Sequence, residues 1–494
     1  MNKYVAEVLE LYKEKEYDRA IQLGLKYLNA PIARIDKANI YHCIGNAFYD
    51  IAKYKEFIHC QKKAIEYAPP DLMQYRLRCL GNAAFATHYI SDVTDKELAE
   101  IHFQAQEIVK YVPWMYDEEE KQKRALRAKN EPKKKLRIGY ISGDFVTSVN
   151  LTFAIQLLGA YNKDKYEVYA YGLMDVEDMA TEFVKTVVDK WQNISQKDAK
   201  ESAEIIYNDQ IDILFDISLH CGKSRTLSIV AYKPAPIIIG GIGYMSTSGM
   251  KAVDYFLTDV YCDPAGMGDE HFTEKLIRLP YSHFCFTPRE YSKKFSVNYN
   301  IHEDIRFGSL NSYLKLDDDT LKVWKNIMDR VPDSRLILQS SSEIGLKNIT
   351  KNKMIALGFD MNRVEMRDGS GEYLSTYNDI DIALDSYPYV GGATTFDALY
   401  MGVPVVTLYG TRHGTRFGYS IMNNLGLPDL AVNNWKEYED LAVTLAENKD
   451  ILKDLHGNLR NMLLESPLMD ARLYVHSIEE KYDEIWNNFL QENS

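Results

Sequence analysis

The segment with the clearest capacity for chemistry holds two adjacent glycines and two threonines. Gly391 and Gly392 are followed by Ala393, Thr394 and Thr395, and an apolar helical pattern begins near Thr394. Glycines let backbone N–H groups approach a ligand closely, and the amino end of a helix carries a partial positive charge. Such an end, together with threonine hydroxyls, suits phosphate oxygens. The segment therefore predicts a phosphate-binding loop.

Two charged side chains could serve the same ligand. Lys315 follows a short apolar run, and its ammonium could neutralise a diphosphate. Asp397 lies inside the predicted helix, where its carboxylate could accept hydrogen bonds from the two hydroxyls of a ribose. Neither a GxxxxGK nor a GxGxxG motif follows the first predicted strand, which argues against a nucleotide hydrolase and a nicotinamide-dependent dehydrogenase.

Strands of parallel sheets are the elements that must position these residues. From Leu136 onward, short β-branched runs alternate with amphipathic helices, and a second series begins at Ile305. This pattern predicts an α/β fold of two doubly wound units in tandem. Ligands bind at the carboxyl ends of such strands, so the polar residues that follow each run are site candidates. These candidates are Asp144, His220, Tyr244, Thr247, Ser248, Ser312, His413 and Arg416.

Each of these signals is weak when taken alone. A glycine pair before a helix is more often only a tight turn, and a single histidine at a strand end is more often structural than catalytic. The joint occurrence of the glycine-threonine segment with Lys315 is what favours a ligand site.

Residues 1–112 have the pattern of a tetratricopeptide-like helical domain, with a period of roughly 34 to 36 residues. Residues 39–48 carry the aromatic, apolar and glycine positions of one unit, and Gly81 and Asn82 repeat its Gly45-Asn46 pair. Such a domain predicts a scaffold that holds a protein acceptor or forms a homodimer; a helical cap over the flank of an enzyme is the equal alternative.

Composition excludes several classes of protein. The net charge of −13 repels a nucleic-acid backbone, so we expect no nucleic-acid partner. The six cysteines are scattered without a CxxC pair, which indicates reduced thiols. No apolar run of about 18 residues occurs, and the first residues lack a basic segment before an apolar core. We therefore expect a cytoplasmic protein without a membrane span.

Several blocks of sequence resemble a known family, in family order. They include LRIGYISGDF near the first strand, DISLHCGKSR, FGSLNSYLKLDDD, LDSYPYVGGATTFDALYMGVPVVTL and RHGTRFGYSIMNNLGL. Over nearly the whole chain they resemble glycosyltransferase family 41, the O-GlcNAc transferase and SPINDLY group, in its bacterial branch. The resemblance implies a GT-B fold of two facing Rossmann-like lobes. It also implies inverting, metal-independent transfer of a sugar from a nucleotide to Ser or Thr hydroxyls of a protein, with UDP-GlcNAc as the expected donor.

Combining the pattern with the resemblance predicts five segments. Residues 1–112 form the helical domain, 113–135 a charged linker with a helical stretch from Glu118 to Lys129, 136–300 an N-terminal lobe on the acceptor side, and 301–470 a C-terminal lobe that binds the nucleotide sugar. Residues 471–494 form a helix that packs back across the lobes.

The resemblance also implies roles for residues on the donor side. Lys315 matches the family lysine on the donor diphosphate, Thr394 and Thr395 match the phosphate-loop threonines, and Asp397 matches the ribose-binding aspartate. Gly392 stands where the animal enzymes carry a histidine. Gly391, Ser312, His413 and Arg416 complete the predicted donor side.

The chain departs from the family pattern at the general base, the group that accepts the proton of the acceptor hydroxyl. The family's active-site histidine after the first strand has no counterpart, and Ser148 stands about there. The candidates are His220, which matches a histidine of the bacterial GHTxGNR block, Asp144, and the leaving phosphate; we favour His220. Leu219 replaces the glycine of that block. Tyr244, Thr247 and Ser248 are expected on the acceptor side.

Three alternatives stay open at the level of sequence. The chain could be an asparagine N-glucosyltransferase, a GT-B transferase with a non-protein acceptor, or a tetratricopeptide adaptor with an inactive transferase body. The Asp379-Ile380-Asp381 triplet matches a metal-binding DxD of some sugar transferases, but the alternation predicts a buried strand there, and we predict no metal. The Lys- and Tyr-rich composition and the branch resembled suggest flagellin or another surface protein as acceptor.

Overall fold

The computed structural model describes residues 2–131, 135–221, 225–340, 344–369 and 371–493. Two short parts of segments discussed above lie outside the described residues. They are residues 132–134 of the predicted linker and residues 222–224 of the block that contains His220.

The N-terminal region is a stack of helices in which successive members pack side by side. Gly45 shows how close the third and fourth helices are, because a Cβ added there would lie 3.1 Å from Cys60 Cβ. The tetratricopeptide assignment stays a prediction. The helices are α1 (Lys3–Lys13), α2 (Tyr17–Leu28), α3 (Arg34–Asp50), α4 (Tyr54–Tyr67), α5 (Met73–Thr87) and α6 (Asp95–Val109).

The segment expected to be a linker contains a packed helix, α7 (Glu118–Asn130). Arg124 of this helix is buried and forms an ion pair with the buried Asp212 of the first α/β lobe. Its guanidinium also lies 5.3 Å from the centre of the Trp486 ring. A buried arginine is tolerated only when it is paired in this way, so α7 is anchored to the lobe that follows it.

The N-terminal lobe is a seven-stranded parallel sheet with the strand order β3-β2-β1-β4-β5-β6-β7. Its strands are β1 (Leu136–Ser142), β2 (Tyr166–Gly172), β3 (Lys190–Asn193), β4 (Ile213–Asp216), β5 (Ile237–Gly241), β6 (Tyr255–Asp259) and β7 (Lys275–Leu279). The helices between them are α8 (Val149–Gly159), α9 (Met179–Val187), α10 (Ala199–Asn208) and α11 (Thr226–Val230).

One element of this lobe departs from the sequence-based expectation. Helices alone were expected near 178–210, but residues 190–193 form the edge strand β3, which pairs with β2. The helical periodicity on either side of this short strand concealed it.

The C-terminal lobe is a six-stranded parallel sheet with the order β10-β9-β8-β11-β12-β13. Its strands are β8 (Arg306–Ser309), β9 (Arg335–Ser340), β10 (Val364–Asp368), β11 (Ile382–Leu384), β12 (Val405–Leu408) and β13 (Ala431–Val432). Its helices are α12 (Asp318–Arg330), α13 (Ile344–Ala356), α14 (Ala393–Tyr400), α15 (Phe417–Leu425), α16 (Trp435–Glu447) and α17 (Lys449–Glu465). Two Rossmann-like lobes behind a helical region confirm the predicted fold class.

The two sheets share a topology that decides where a ligand can bind. In each sheet the chain reverses its direction of strand addition at one point, between β1 and β4 and between β8 and β11. The loops that leave the carboxyl ends of those strands diverge and leave a crevice. The crevices of both lobes are therefore the expected positions of a site.

Aromatic packing joins the lobes beside this crevice. The ring of Phe396 in α14 stacks on Phe286, with centroids 4.9 Å apart, and lies 5.5 Å from the ring of Phe153 in α8. The C-terminal helix α18 (Ala471–Glu492) returns to the N-terminal lobe, where Tyr482 hydrogen-bonds Tyr140. None of the helices in the described part of the chain has the continuous apolar stretch that a bilayer span requires.

Candidate active site

A cavity of about 370 Å³ lies between the two lobes at their switch-point loops. Both lobes contribute polar side chains to it. The N-terminal lobe supplies Asp144 and Asn150, and the C-terminal lobe supplies Lys315 and Thr394 together with the backbone of Gly392. The volume is in the range of small-ligand sites. These loops follow β1, β8 and β11, as the sheet topology requires.

Lys315 is held at the edge of this cavity by its neighbours. Its Nζ donates to Asn311 Oδ1 at 3.1 Å and to the Val390 carbonyl at 3.2 Å. Burial lowers the pKa of the lysine to about 8, although the field of the Asp385 carboxylate acts in the opposite direction. The ammonium form therefore persists at neutral pH in a partly desolvated position, where it acts strongly on a nearby anion.

The glycine-threonine segment forms the turn that the sequence predicts. The Gly391 N–H donates to Asp385 Oδ1 at 2.7 Å, and a Cβ at Gly391 would lie 2.6 Å from the hydroxyls of both Thr394 and Thr395. Only glycine fits there. Gly392 is the N-cap residue of α14, so the amino end of that helix opens toward the cavity. Thr395 is buried behind the turn, whereas Thr394 lines the cavity.

Asn311 connects the parts of the predicted donor side, and sequence reasoning did not include it in the site. Its Oδ1 accepts from Lys315 and, at 2.9 Å, from Thr394 Oγ1. Its Nδ2 donates to Asp385 Oδ1 at 3.2 Å. The signal was present, because Asn311 directly precedes Ser312 at the end of β8. Ser312 itself caps the short 3₁₀ turn Tyr313–Lys315.

Asp397 lies one turn into α14, beyond the cavity lining. It is 8% exposed, and Tyr373 Oη donates to its Oδ2 at 2.6 Å. Burial raises the pKa of this carboxyl to about 6, although the hydrogen bond from Tyr373 opposes the shift.

Asp144 is a carboxylate on the wall formed by the N-terminal lobe, and it lines the cavity. Asp144 Oδ2 accepts from Asn150 Nδ2 at 2.7 Å and, more weakly, from Ser218 Oγ at 3.4 Å. Ser148, which stands near the family's missing histidine, caps α8 by accepting from the Leu151 N–H. Ser148 and Asp144 both line the cavity.

His220, the favoured candidate for the general base, does not line the cavity. Its Nε2 donates to the Ser248 carbonyl at 2.8 Å, and its ring contacts α5 near Gly81 rather than the cavity. Burial lowers the pKa of His220 to about 4, so the ring is neutral. Leu219 before it has a φ of 44°, in the left-handed region where glycine is favoured. The family glycine at this position is thus explained by the backbone.

The three residues predicted on the acceptor side divide into two groups. Tyr244 lines the cavity. Thr247 and Ser248 are fully buried and hydrogen-bond the carboxylate of Glu274, which places them behind the cavity wall. Their hydroxyls satisfy a buried acid that would otherwise be costly to enclose.

Tyr244 also connects the cavity to the helical region. His102 of α6 donates from Nδ1 to the Leu98 carbonyl at 2.7 Å, which leaves its Nε2 as an acceptor. Tyr244 Oη lies 2.7 Å from that nitrogen and donates to it. Burial lowers the pKa of His102 to about 3, which keeps it neutral in this role.

His413 and Arg416 join the lobes instead of facing the cavity. His413 Nδ1 donates to Asp263 Oδ2 at 2.6 Å. Arg416 donates to the carbonyls of Tyr261 and Gly410, both at 2.8 Å. Because their donors are directed at partners outside the crevice, the structure does not bring these two residues together with Lys315.

A sequence profile of Glycosyl transferase family 41 matches residues 96–296 and 287–478, which together cover most of the chain. The chain belongs to glycosyltransferase family 41. Among solved structures, a mutant of the O-GlcNAc transferase from Thermobaculum terrenum has 23% sequence identity and a TM-score of 0.75, with 100% of both chains covered. That similarity confirms the GT-B arrangement of the two lobes.

Curated members of family 41 are similar to this chain over part of their length. A "Probable UDP-N-acetylglucosamine--peptide N-acetylglucosaminyltransferase SPINDLY" from Petunia hybrida is 30% identical over 419 residues, which are 83% of this chain and 44% of the relative. A SEC protein of the same description from Arabidopsis thaliana is 30% identical over 369 residues, 72% of this chain and 37% of the relative. The chain thus spans less than half the length of these relatives.

One cluster in this family 41 protein has the side-chain types of a metal site. Asp259, Cys262 and His283 lie within 4.8 Å of one another. The Asp259 carboxylate already accepts from His283, from Ser420 and from the backbone N–H groups of residues 261 and 262. Because these hydrogen bonds occupy the carboxylate oxygens of Asp259, and one of them comes from Ser420 of the other lobe, the cluster stabilises the contact between the lobes.

If Asp397 binds the ribose of a nucleotide sugar, as the family resemblance implies, its pKa predicts how the binding of that sugar depends on pH. A ribose diol requires the ionised carboxylate as acceptor, and protonation below about pH 6 removes it. The KM for the nucleotide sugar should therefore rise about tenfold from pH 7 to pH 5. Steady-state kinetics between pH 5 and pH 7 measure this change in KM. Asp397→Asn should raise KM at pH 7 and abolish the dependence of KM on pH. The control Asp429→Asn, at an exposed position, should behave as wild type. A wild-type dependence of KM on pH in Asp397→Asn would show that Asp397 does not bind the ribose.

Proposed function

We propose that this chain is an inverting transferase that moves a sugar from a nucleoside diphosphate to a Ser or Thr hydroxyl of a protein. UDP-GlcNAc is the proposed donor. One observation carries the proposal: the Lys315 ammonium, the amino end of α14 and the Thr394 hydroxyl converge on one cavity, whose other wall holds a carboxylate. Family membership supports the reaction class, and the names of the relatives cited above support the donor.

The proposed reaction is an in-line displacement at the anomeric carbon. The acceptor oxygen forms the new bond while the bond to the diphosphate breaks, so negative charge grows on the leaving group. In this proposal Lys315 and the N–H groups at the start of α14 face that charge from the cavity wall, and they need little reorganisation to stabilise it. These groups supply the positive charge in this proposal, and no step requires a metal.

The acceptor hydroxyl must lose its proton as the new bond forms. Of the candidate bases on the protein, Asp144 lines the cavity and His220 does not. Asn150 holds the Asp144 carboxylate in place. We therefore propose Asp144 as the base, with the leaving phosphate as the alternative.

A donor and acceptor screen tests the function directly. The protein is incubated with UDP-GlcNAc, UDP-glucose or GDP-fucose and with candidate acceptors that include flagellin, and released nucleotide is measured with and without a chelator. Mass spectrometry then locates the sugar on Ser, Thr or Asn. Transfer to Ser or Thr that resists chelation supports the proposal. Transfer to Asn or to a non-protein acceptor, or sugar binding without transfer, would overturn it.

A further inference from the structure

The helical region meets the C-terminal lobe directly beside Lys315. Side chains from α4 and α5 form one apolar cluster with residues of the donor side. The cluster is centred on Phe57, Ala86 and Tyr89, and Tyr54, Leu314 and Tyr389 pack against it. Leu314 immediately precedes Lys315, and Tyr389 immediately precedes Val390, whose carbonyl accepts from the lysine.

Three tyrosines carry this contact, and we refer to Tyr54, Tyr89 and Tyr389 as the aromatic bridge. Tyr54 Oη donates to the Leu314 carbonyl at 2.8 Å. The rings of Tyr54 and Tyr89 are stacked with centroids 4.9 Å apart. The ring of Tyr89 in turn lies 5.3 Å from that of Tyr389. The bridge thus runs without a break from α4 to the loop after β11.

The last ring of the aromatic bridge faces the donor lysine. The Lys315 Nζ lies 4.3 Å from the centre of the Tyr389 ring, within the range in which an aromatic face attracts a cation. Two of the three donors of the ammonium are directed at Asn311 and Val390. Ring, amide and carbonyl together restrain a side chain that has four rotatable bonds.

We propose that the helical region is a structural part of the donor site, in which the aromatic bridge positions Lys315. Tyr54 and Tyr89 are positioning residues, since they act on the leaving group through the lysine, whereas Tyr389 also lines the cavity itself. The inference rests on the proposed function, in which Lys315 meets the diphosphate. A fixed ammonium stabilises the developing charge without first reorganising. A second contact, from Asp95 of α6 to Thr411 and Arg412, holds the same two parts together.

The groups around the ammonium determine what a pH profile will show. The Asp385 carboxylate lies at the end of β11, and Asp144 lies on the wall formed by the other lobe. Burial raises the pKa values of Tyr54 and Tyr89, so α4 and the turn after α5 contribute neutral phenols at this point. A change in the charge state of Lys315 should therefore produce the alkaline limb of kcat/KM for the donor, near pH 8.

Two substitutions of Tyr389 separate positioning from packing. Tyr389→Leu keeps an apolar side chain but removes the aromatic face, so the ammonium loses a stabilising contact. The alkaline limb should move to lower pH by about half a unit or more, and kcat should fall severalfold. Tyr389→Phe retains the ring and should keep the wild-type limb. If the alkaline limb of kcat/KM lies at the same pH in Tyr389→Leu, Tyr389→Phe and the wild-type protein, the inference is overturned.

Tyr54 tests the helical end of the bridge. Tyr54→Phe removes only the hydrogen bond to Leu314, and kcat should fall about three- to tenfold with the acceptor KM unchanged. Tyr27→Phe is the matched control, because it removes a tyrosine hydrogen bond, to Glu7, elsewhere in the helical region. Equal kinetics in Tyr54→Phe and Tyr27→Phe would contradict a role for α4 in the donor site.

A measurement without substrate distinguishes failure of this inference from failure of the proposed function. Trace acetic anhydride, added across a pH range and read by mass spectrometry of the Lys315 peptide, reports the pKa of that amine. The pKa should be about 8 in wild type and Tyr389→Phe, and lower in Tyr389→Leu. If no nucleotide sugar reacts with the wild-type protein, the proposed function fails while this comparison still decides the inference. Equal amine pKa values in all three proteins would overturn it.

Discussion

Lys315→Ala is expected to lower kcat by about 100- to 1000-fold while leaving the fold intact. In the proposed reaction the substitution removes the cation that stabilises the charge on the leaving diphosphate, and loss of one such stabilising group costs that much in other enzymes. The partners of Lys315 are an asparagine amide and a carbonyl at the edge of a cavity. Water can replace the ammonium there, so stability should change little. Single-turnover kinetics and thermal unfolding measure the two effects.

The control for this prediction is another lysine of the same lobe. Lys322 lies on the exposed side of α12 and pairs with Asp319. Lys322→Ala should retain wild-type turnover. Wild-type turnover in Lys315→Ala would remove the lysine from the mechanism, and loss of the cooperative unfolding transition in that variant would make its role structural.

Asp144→Asn is expected to lower the rate of transfer by about 100-fold or more. General-base catalysis contributes this much where a positioned carboxylate removes a proton during bond formation. The asparagine has the same shape, so Asn150 and Ser218 keep a partner oxygen and the cavity wall is preserved. Transfer to an acceptor and hydrolysis of the donor by water are measured in parallel under single-turnover conditions. Binding of UDP, measured by calorimetry, should not change.

His220→Gln provides the comparison for that experiment. The glutamine amide can still donate to the Ser248 carbonyl, and His220 is not among the residues that line the cavity. The variant should keep transfer within a few-fold of wild type. Loss of transfer in His220→Gln with normal transfer in Asp144→Asn would make the histidine the base. Normal transfer in both would favour the leaving phosphate.

Local sequence signals identified the glycine-threonine turn and Lys315, which the structure brings to one cavity. Gly391 is needed where it stands because the turn leaves no room for a Cβ there, whereas Gly392 has open space around it and forms the start of α14. Lys315 follows its strand directly. Such features depend on residues close in sequence, so the pattern is enough to find them. The two parallel sheets could also be predicted from sequence, because the hydrophobic periodicity indicates alternating strands and helices.

Placement at a strand end did not identify which side chains face the cavity. His220, Thr247 and Ser248 occur in loops at the correct edge of the N-terminal sheet, yet they hydrogen-bond groups behind it. His413 and Arg416 hydrogen-bond residues of the N-terminal lobe at the contact between the lobes. Sheet topology places a loop at an edge, but the direction of each side chain depends on partners that are distant in sequence.

The sequence by itself determined the two α/β units, the family resemblance, and the glycine-threonine turn with its lysine. Only the tertiary structure decided that Asn311 connects these parts, that Asp144 rather than His220 lines the cavity, and that Tyr54 reaches Leu314 from 260 residues away. The reason is physical. Propensity and turn geometry act between neighbours along the chain, whereas the contacts that aim a side chain form only when separate elements pack.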